Sequence, residues 1–282
     1  MRYIPLMLLS MASRVATLCP KRLLRAKTGA LRAAALHAAT DDAAVIDDAA
    51  SIYAIPERDV DEAAVQQLVE RHVAQHATYL SKRPIAKHTE AAFQTAAEFA
   101  RSRATPLIID AGCGTGRSTL KLAERYPDRT IIGVDRSEAR LSKGRQAPAN
   151  ALLLRAELGD FWRLLNDSND LRVEETYLLY PNPYPKTKML KQRFQGHASL
   201  PSLLNACGHK LTVRASWRTY LEEFRLACRR AGELGIRPDL VSKGPYELPT
   251  DLILTDPLTL FERKYAKAGV PVYELVLTNT CG

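Results

Sequence analysis

From Pro106 to the C-terminus the chain alternates short apolar runs with helical stretches, and this alternation limits the fold more than any other feature. Residues 107–110 (LIID), 130–135 (TIIGVD), 151–156 (ALLLRA), 176–180 (TYLLY) and 210–214 (KLTVR) read as strands, with a last one at 272–277 (VYELVL). Helices fit between them, from 117 to about 126 and over 217–232, where Tyr220, Leu221, Phe224 and Ala227 share a face. Short apolar runs of this kind suit strands covered on both faces. The pattern predicts an α/β fold, a doubly wound, Rossmann-like parallel sheet with its site at the strand C-termini.

Ahead of this region the spacing of Val65, Leu68, Val69, Val73, Ala74, Tyr79 and Leu80 predicts an amphipathic helix over 61–80. A second is predicted over 89–101, with Thr89 as its N-cap and Phe93, Ala96, Ala97 and Ala100 on one face. The sequence thus divides into a basic tail at 1–45, a helical extension at 46–104 and the α/β region at 105–282. Charge marks off the tail: residues 1–40 hold seven basic residues and no acid, leaving 33 basic against 31 acidic groups elsewhere. The net charge of +9 is therefore mostly the tail's, and an argument for nucleic-acid binding must rest on a local patch. The tail's longest uncharged run, residues 3–13, is too short to span a bilayer, so no membrane association is expected. Its composition fits either a transit peptide, which implies a mitochondrion or plastid, or a plain extension of a cytoplasmic protein. Five cysteines without a CxxC pair exclude a disulfide framework or zinc site as the organising principle.

After the first strand comes Asp110-Ala111-Gly112-Cys113-Gly114-Thr115-Gly116-Arg117. Glycines let a backbone approach a ligand closely, and a following helix presents free N–H groups. A dinucleotide GxGxxG turn wants a small residue where Arg117 stands. The D-x-G-x-G-x-G pattern instead resembles the S-adenosyl-L-methionine (AdoMet) loop of class I methyltransferases. That resemblance implies that Asp110, Gly112, Gly114 and Gly116 seat the methionine end of the cofactor. It further implies that Asp135 accepts from both ribose hydroxyls and that Glu157 reaches the adenine edge.

The fourth strand runs into Tyr180-Pro181-Asn182-Pro183-Tyr184-Pro185-Lys186. Three alternate prolines remove three donors and fix φ, giving a stiff loop of the kind that positions a reacting group. Lys186, Lys188, Lys191 and Arg193 follow with no acid between them, a local patch suited to phosphates. Residues 182–186 resemble the D-P-W-P-K loop of the TrmB-type tRNA (guanine-N7)-methyltransferases. The segment Ser216-Trp217-Arg218-Thr219-Tyr220 is similar to that family's T-D-W-x-x-Y element, and Thr259-Leu260-Phe261-Glu262-Arg263-Lys264 to its T-x-F-E-x-[KR] element. The resemblance covers about 105–282 and implies methylation of guanine N7 in tRNA, at the variable-loop guanosine 46. Lys186, Arg193, Ser216, Thr259 and Glu262 would contact the substrate, and Asn182 would take the catalytic position while also facing the cofactor.

Asn182 replaces the family's loop Asp, and Ser216 replaces the Asp before its Trp. Guanine N7 carries an in-plane lone pair and no proton, so the transfer needs no general base and the loss of charge does not imply loss of activity. Two other readings stay open. Asn182-Pro183-Tyr184 partly resembles the N-P-P-Y loop of exocyclic-amine (N6-adenine type) methyltransferases, and the fold could serve a non-catalytic RNA-binding subunit. No metal site is expected: His197 and His209 are isolated, and His72 and His76 lack an HExxH setting. Cys113 is assigned no nucleophilic role, and Trp217, Tyr220 and Phe224 are expected to pack a helix on the sheet. The oligomeric state, monomer or homodimer, is left open.

Overall fold

A computed structural model describes residues 55–280. The tail at 1–45, with everything expected of it, lies outside the described residues. Strands β1 (Leu107–Ala111), β2 (Thr130–Asp135), β3 (Ala151–Arg155), β4 (Val173–Leu179), β5 (Lys210–Ala215), β6 (Leu240–Glu247) and β7 (Tyr273–Asn279) form one sheet, ordered β3-β2-β1-β4-β5-β7-β6. The first five are mutually parallel. β7 runs antiparallel to both β5 and β6, which corrects the expectation of an all-parallel sheet. β6 was not legible as a strand because it is an edge. It pairs with β7 alone, carries Gly244-Pro245 at a register shift, and leaves half of its side chains in solvent.

The helices are α1 (Glu62–Ala74), α2 (His76–Lys82), α3 (Lys87–Arg103), α4 (Arg117–Arg125), α5 (Glu138–Leu141), α6 (Leu158–Asp167), α7 (Leu200–Ala206), α8 (Arg218–Glu233), α9 (Thr250–Thr255) and α10 (Leu260–Lys267). The predicted helix at 61–80 is two helices, parted at Gln75. Asp61 caps the first through the Ala64 N–H. The second predicted helix begins earlier than expected, after Ala86, so Thr89 is not its N-cap. Thr89 is buried inside the helix, and its hydroxyl accepts from the Glu157 N–H at 3.1 Å.

Apolar side chains cover both faces of the sheet, which is why its strands read as unbroken apolar runs. On one face Ile109, Ile132, Leu178 and Val213 pack with Phe161, Trp162, Leu203 and Phe224, and Val65 and Val69 of α1 and Phe93 of α3 join the same core. On the other, Ile108 and Ile131 pack with Leu122, Tyr177 and Leu258. Burying a ring such as Phe161 or Phe224 is worth roughly 1.5–3 kcal/mol. These two layers fix the C-terminal edge of β1, β2 and β4, where the polar residues of interest emerge.

Candidate active site

The turn between β1 and α4 is tied to the end of β2. Gly112 and Cys113 both donate to the Val134 carbonyl, and the Gly114 N–H donates to Asp135 at 2.9 Å. Gly116 cannot be replaced without movement: its φ is +77°, and a Cβ there would stand 2.5 Å from Leu153 Cδ1 of β3. Gly112 faces open space, and Gly114 meets only the Arg140 guanidinium, at 4.0 Å. A ligand can therefore lie directly against this turn. Cys113 is buried, and burial pushes its thiol pKa up, away from nucleophilic duty.

Three acids stand around the turn, each with partners already. Asp110 is buried at the end of β1 and accepts from the Ser118 and Thr119 hydroxyls of α4 at 2.6 and 2.7 Å. Burial pushes its carboxyl pKa up to about 6, although the two hydroxyls oppose that rise. Asp135, equally buried, accepts from the Gly114 and Ser137 N–H groups and pairs with half-exposed Arg140 at 2.9 Å. Glu157 is the N-cap of α6, accepting from Asp160 N–H at 2.9 Å. The acids ending β1 and β2 thus flank the open turn. Glu157, two residues past β3, is engaged in capping its own helix.

β4 leads directly into the stiff loop. Tyr180 and Tyr184 take left-handed backbone conformations, with φ of 52° and 41°. The Asn182 Oδ1 accepts from the Tyr184 N–H at 3.2 Å, closing a small turn. Lys186, Lys188 and Lys191 are exposed, as the basic patch requires. Arg193 is not part of that patch, which corrects its expected role as a surface phosphate contact. It is 1% exposed, paired with buried Glu223, and lies 5.0 Å from the centre of the Trp217 ring. Its guanidinium donates to the Pro183 carbonyl at 3.0 Å and to the Tyr184 carbonyl at 2.8 Å. One buried cation therefore holds the backbone of the proline loop from below. Trp217 itself is buried, with the Arg193 and Arg58 guanidiniums 5.0 and 5.3 Å from its ring centre, and Tyr220 and Phe224 pack in the core as expected.

Glu262 also turns inward, against the expectation that it faces a substrate, and half-buried Thr259 is engaged with it. They form a reciprocal capping box at the start of α10. Glu262 is 1% exposed, accepts from the Leu258 N–H at 2.5 Å, and pairs with Arg214 at 2.9 Å. Arg214 in turn pairs with Glu274. Removing the Glu262 side chain would take away one half of the capping box of α10 and leave Arg214 half-compensated, so any loss of activity would not by itself report a substrate contact. Ser216 is half-buried and hydrogen-bonded to the Tyr265 phenol. Arg140 and Glu223 went unseen in the sequence, and Arg193 was read only as a surface cation, because arginines and glutamates are common surface residues and nothing in their spacing marks them as buried or paired.

A family model described as "Putative methyltransferase" matches residues 104–275, more than half of the chain, and runs from β1 into the start of β7. The chain belongs to the TrmB-type class I methyltransferases. Among proteins similar in sequence, the tRNA (guanine-N(7)-)-methyltransferase of Mycobacterium avium is 26% identical over 181 residues, covering 62% of this chain and 66% of the relative. The trans-aconitate 2-methyltransferase of Deinococcus radiodurans is 40% identical over 80 residues, covering 28% of this chain and 30% of the relative. The chain thus spans less than two thirds of the length of both relatives. A solved structure of an antibiotic-related methyltransferase aligns with a TM-score of 0.49 at 16% identity, over 70% of this chain and 100% of that one. Among the described residues, no group of three or more His, Cys, Asp or Glu is placed to hold a metal ion, and no helix is long and apolar enough to cross a membrane.

Proposed function

We propose that this protein transfers a methyl group from AdoMet to guanine N7 in tRNA, at the variable-loop guanosine 46. The observation that carries this reading is the clamped proline loop at the end of β4, standing on the same sheet edge as the open glycine turn, Asp110 and Asp135. The turn fits AdoMet: Gly112 faces open space, Gly114 meets nothing nearer than the Arg140 guanidinium at 4.0 Å, and a buried carboxylate stands on each side of the turn. When bound, AdoMet supplies an electrophilic sulfonium methyl. Asp135 can accept from a ribose diol once Arg140 moves aside, and Asp110 offers negative charge toward a cationic methionine end.

On the acceptor side the protein has only to orient. N7 presents its lone pair in the plane of the purine, so no side chain need remove a proton before attack. Asn182, an amide, is suited to that task and unsuited to base catalysis. With its Oδ1 engaged by the Tyr184 N–H, its amide N–H donors are left for a purine carbonyl such as O6. An exocyclic amine would have to share the Asn182 Oδ1 with the Tyr184 N–H. Exposed Lys186, Lys188 and Lys191 supply phosphate contacts beside the loop.

The test is incubation of unmodified total tRNA with labelled AdoMet, followed by strand cleavage specific for 7-methylguanosine. Label released at the variable loop is the expected result. Labelled tRNA that resists cleavage would move the acceptor to an exocyclic amine, and AdoMet binding without any transfer would favour a non-catalytic partner.

A further inference from the structure

Of the six phenylalanines in the chain, Phe261 alone is exposed, with 46% of its surface open to solvent. Its neighbours in the T-x-F-E element, Thr259 and Glu262, are occupied with capping α10, so the ring is among the few side chains of that element left to meet a ligand. It is also firmly held. Its centroid lies 6.0 Å from that of Tyr180 and 6.3 Å from that of Tyr265, and those two tyrosines are 5.6 Å apart. The three rings are tilted by only 25–34° from one another. Tyr180 is the residue from which the clamped proline loop departs, so this aromatic stack stands at the root of the acceptor loop. The Glu262–Arg214 pair fixes the helix end that carries Phe261.

The solvent-facing charges of α10 are of one sign. The Lys264 Nζ lies 5.9 Å from the Phe261 ring centre, and α10 carries Arg263, Lys264 and Lys267 while its one acid, Glu262, is buried. A fixed aromatic face on a helix whose solvent-facing charges are all cations, one of them beside the ring, is complementary to a flat π-system attached to phosphates. We infer that Phe261 is the stacking platform for a nucleobase of the RNA acceptor, backed by Tyr180 and Tyr265, with the cations of α10 meeting the adjoining phosphates. The inference rests on the tRNA reading above, and it assigns to Phe261 a contact that the capping box denies to Thr259 and Glu262.

The experiment measures tRNA binding and methylation by the full chain carrying F261A, F261L or F261W, with AdoMet affinity measured alongside. Loss of the ring in F261A and F261L should weaken tRNA binding about tenfold or more, mainly through KM, with AdoMet affinity unchanged. F261W should bind at least as tightly as the natural chain. Trp162 and Trp217 are buried, so the indole introduced by F261W would dominate the accessible emission, and tRNA should quench it. If F261L binds and methylates tRNA as the natural protein does, the platform is refuted while the tRNA reading stands. An apolar contact without stacking would show as F261L normal and F261A weak, which also overturns it. If the natural chain neither binds nor methylates tRNA, the underlying reading fails and the platform falls with it.

Discussion

Burial at the end of β1 gives Asp110 a pKa near 6, against an ordinary carboxylate value of 3.8, and two measurable consequences follow at this one residue. A raised native pKa contributes stability that is present below the unfolded value and lost as pH rises through about 6. Above that pH the native chain therefore carries an ionised, desolvated carboxylate at a cost of order 3 kcal/mol. Asp110→Asn should raise the melting temperature at pH 7.5 and change it little near pH 4; a scan of both proteins across pH checks this. AdoMet binding should respond in the opposite sense, because the cationic ligand favours the ionised form. Titration calorimetry should show the natural protein losing affinity as pH falls through about 6, and Asp110→Asn losing that pH dependence. The carboxylate was legible in the sequence from its place before the glycine turn. Its two hydroxyl partners were not, since Ser118 and Thr119 look like ordinary first-turn residues of a helix.

The proline loop gains its position from a buried ion pair. Arg193 supplies hydrogen bonds to the Pro183 and Tyr184 carbonyls, and Glu223 of α8 neutralises it. Replacing Arg193 by Met leaves the Glu223 carboxylate with one fewer partner, and breaking a buried pair costs about 3–5 kcal/mol. Arg193→Lys keeps the charge but loses the planar fork that reaches two carbonyls at once. The expected outcome is a clear drop in melting temperature for Arg193→Met. For Arg193→Lys, methyl transfer should slow at least tenfold with AdoMet affinity retained, as single-turnover kinetics and calorimetry would show. The loop's stiffness followed from its prolines. That its last cation points inward did not, because a run of Lys and Arg carries no mark of which member is covered. The same limit applies to Thr259 and Glu262. Their spacing is equally that of a capping box, and only the fold shows which use prevails.

For the molecule as a whole, the parallel half of the sheet was legible because its strands are covered on both faces and read as apolar runs. β6 and the antiparallel direction of β7 were not, since an exposed edge dilutes the apolar pattern and strand direction leaves no trace in composition. The helices at 62–103 share the core of the sheet, so donor binding at the glycine turn should be felt throughout the described residues. AdoMet at a hundredfold excess over its Kd should stabilise the fold by about 2.7 kcal/mol, and a thermal shift should show it as one displaced transition. Asp135→Ala should abolish that shift; if it leaves the shift intact, the ribose assignment is wrong. The contact between Arg140 and Asp135 carries a final consequence. That guanidinium occupies the carboxylate proposed above to receive a sugar diol, so on that reading the chain carries its own competitor for the donor. Such a latch is held by a half-exposed ion pair and loosens as counter-ions gather. Arg140→Ala should accordingly bind AdoMet more tightly than the natural chain in dilute buffer, and the two affinities should converge as ionic strength climbs.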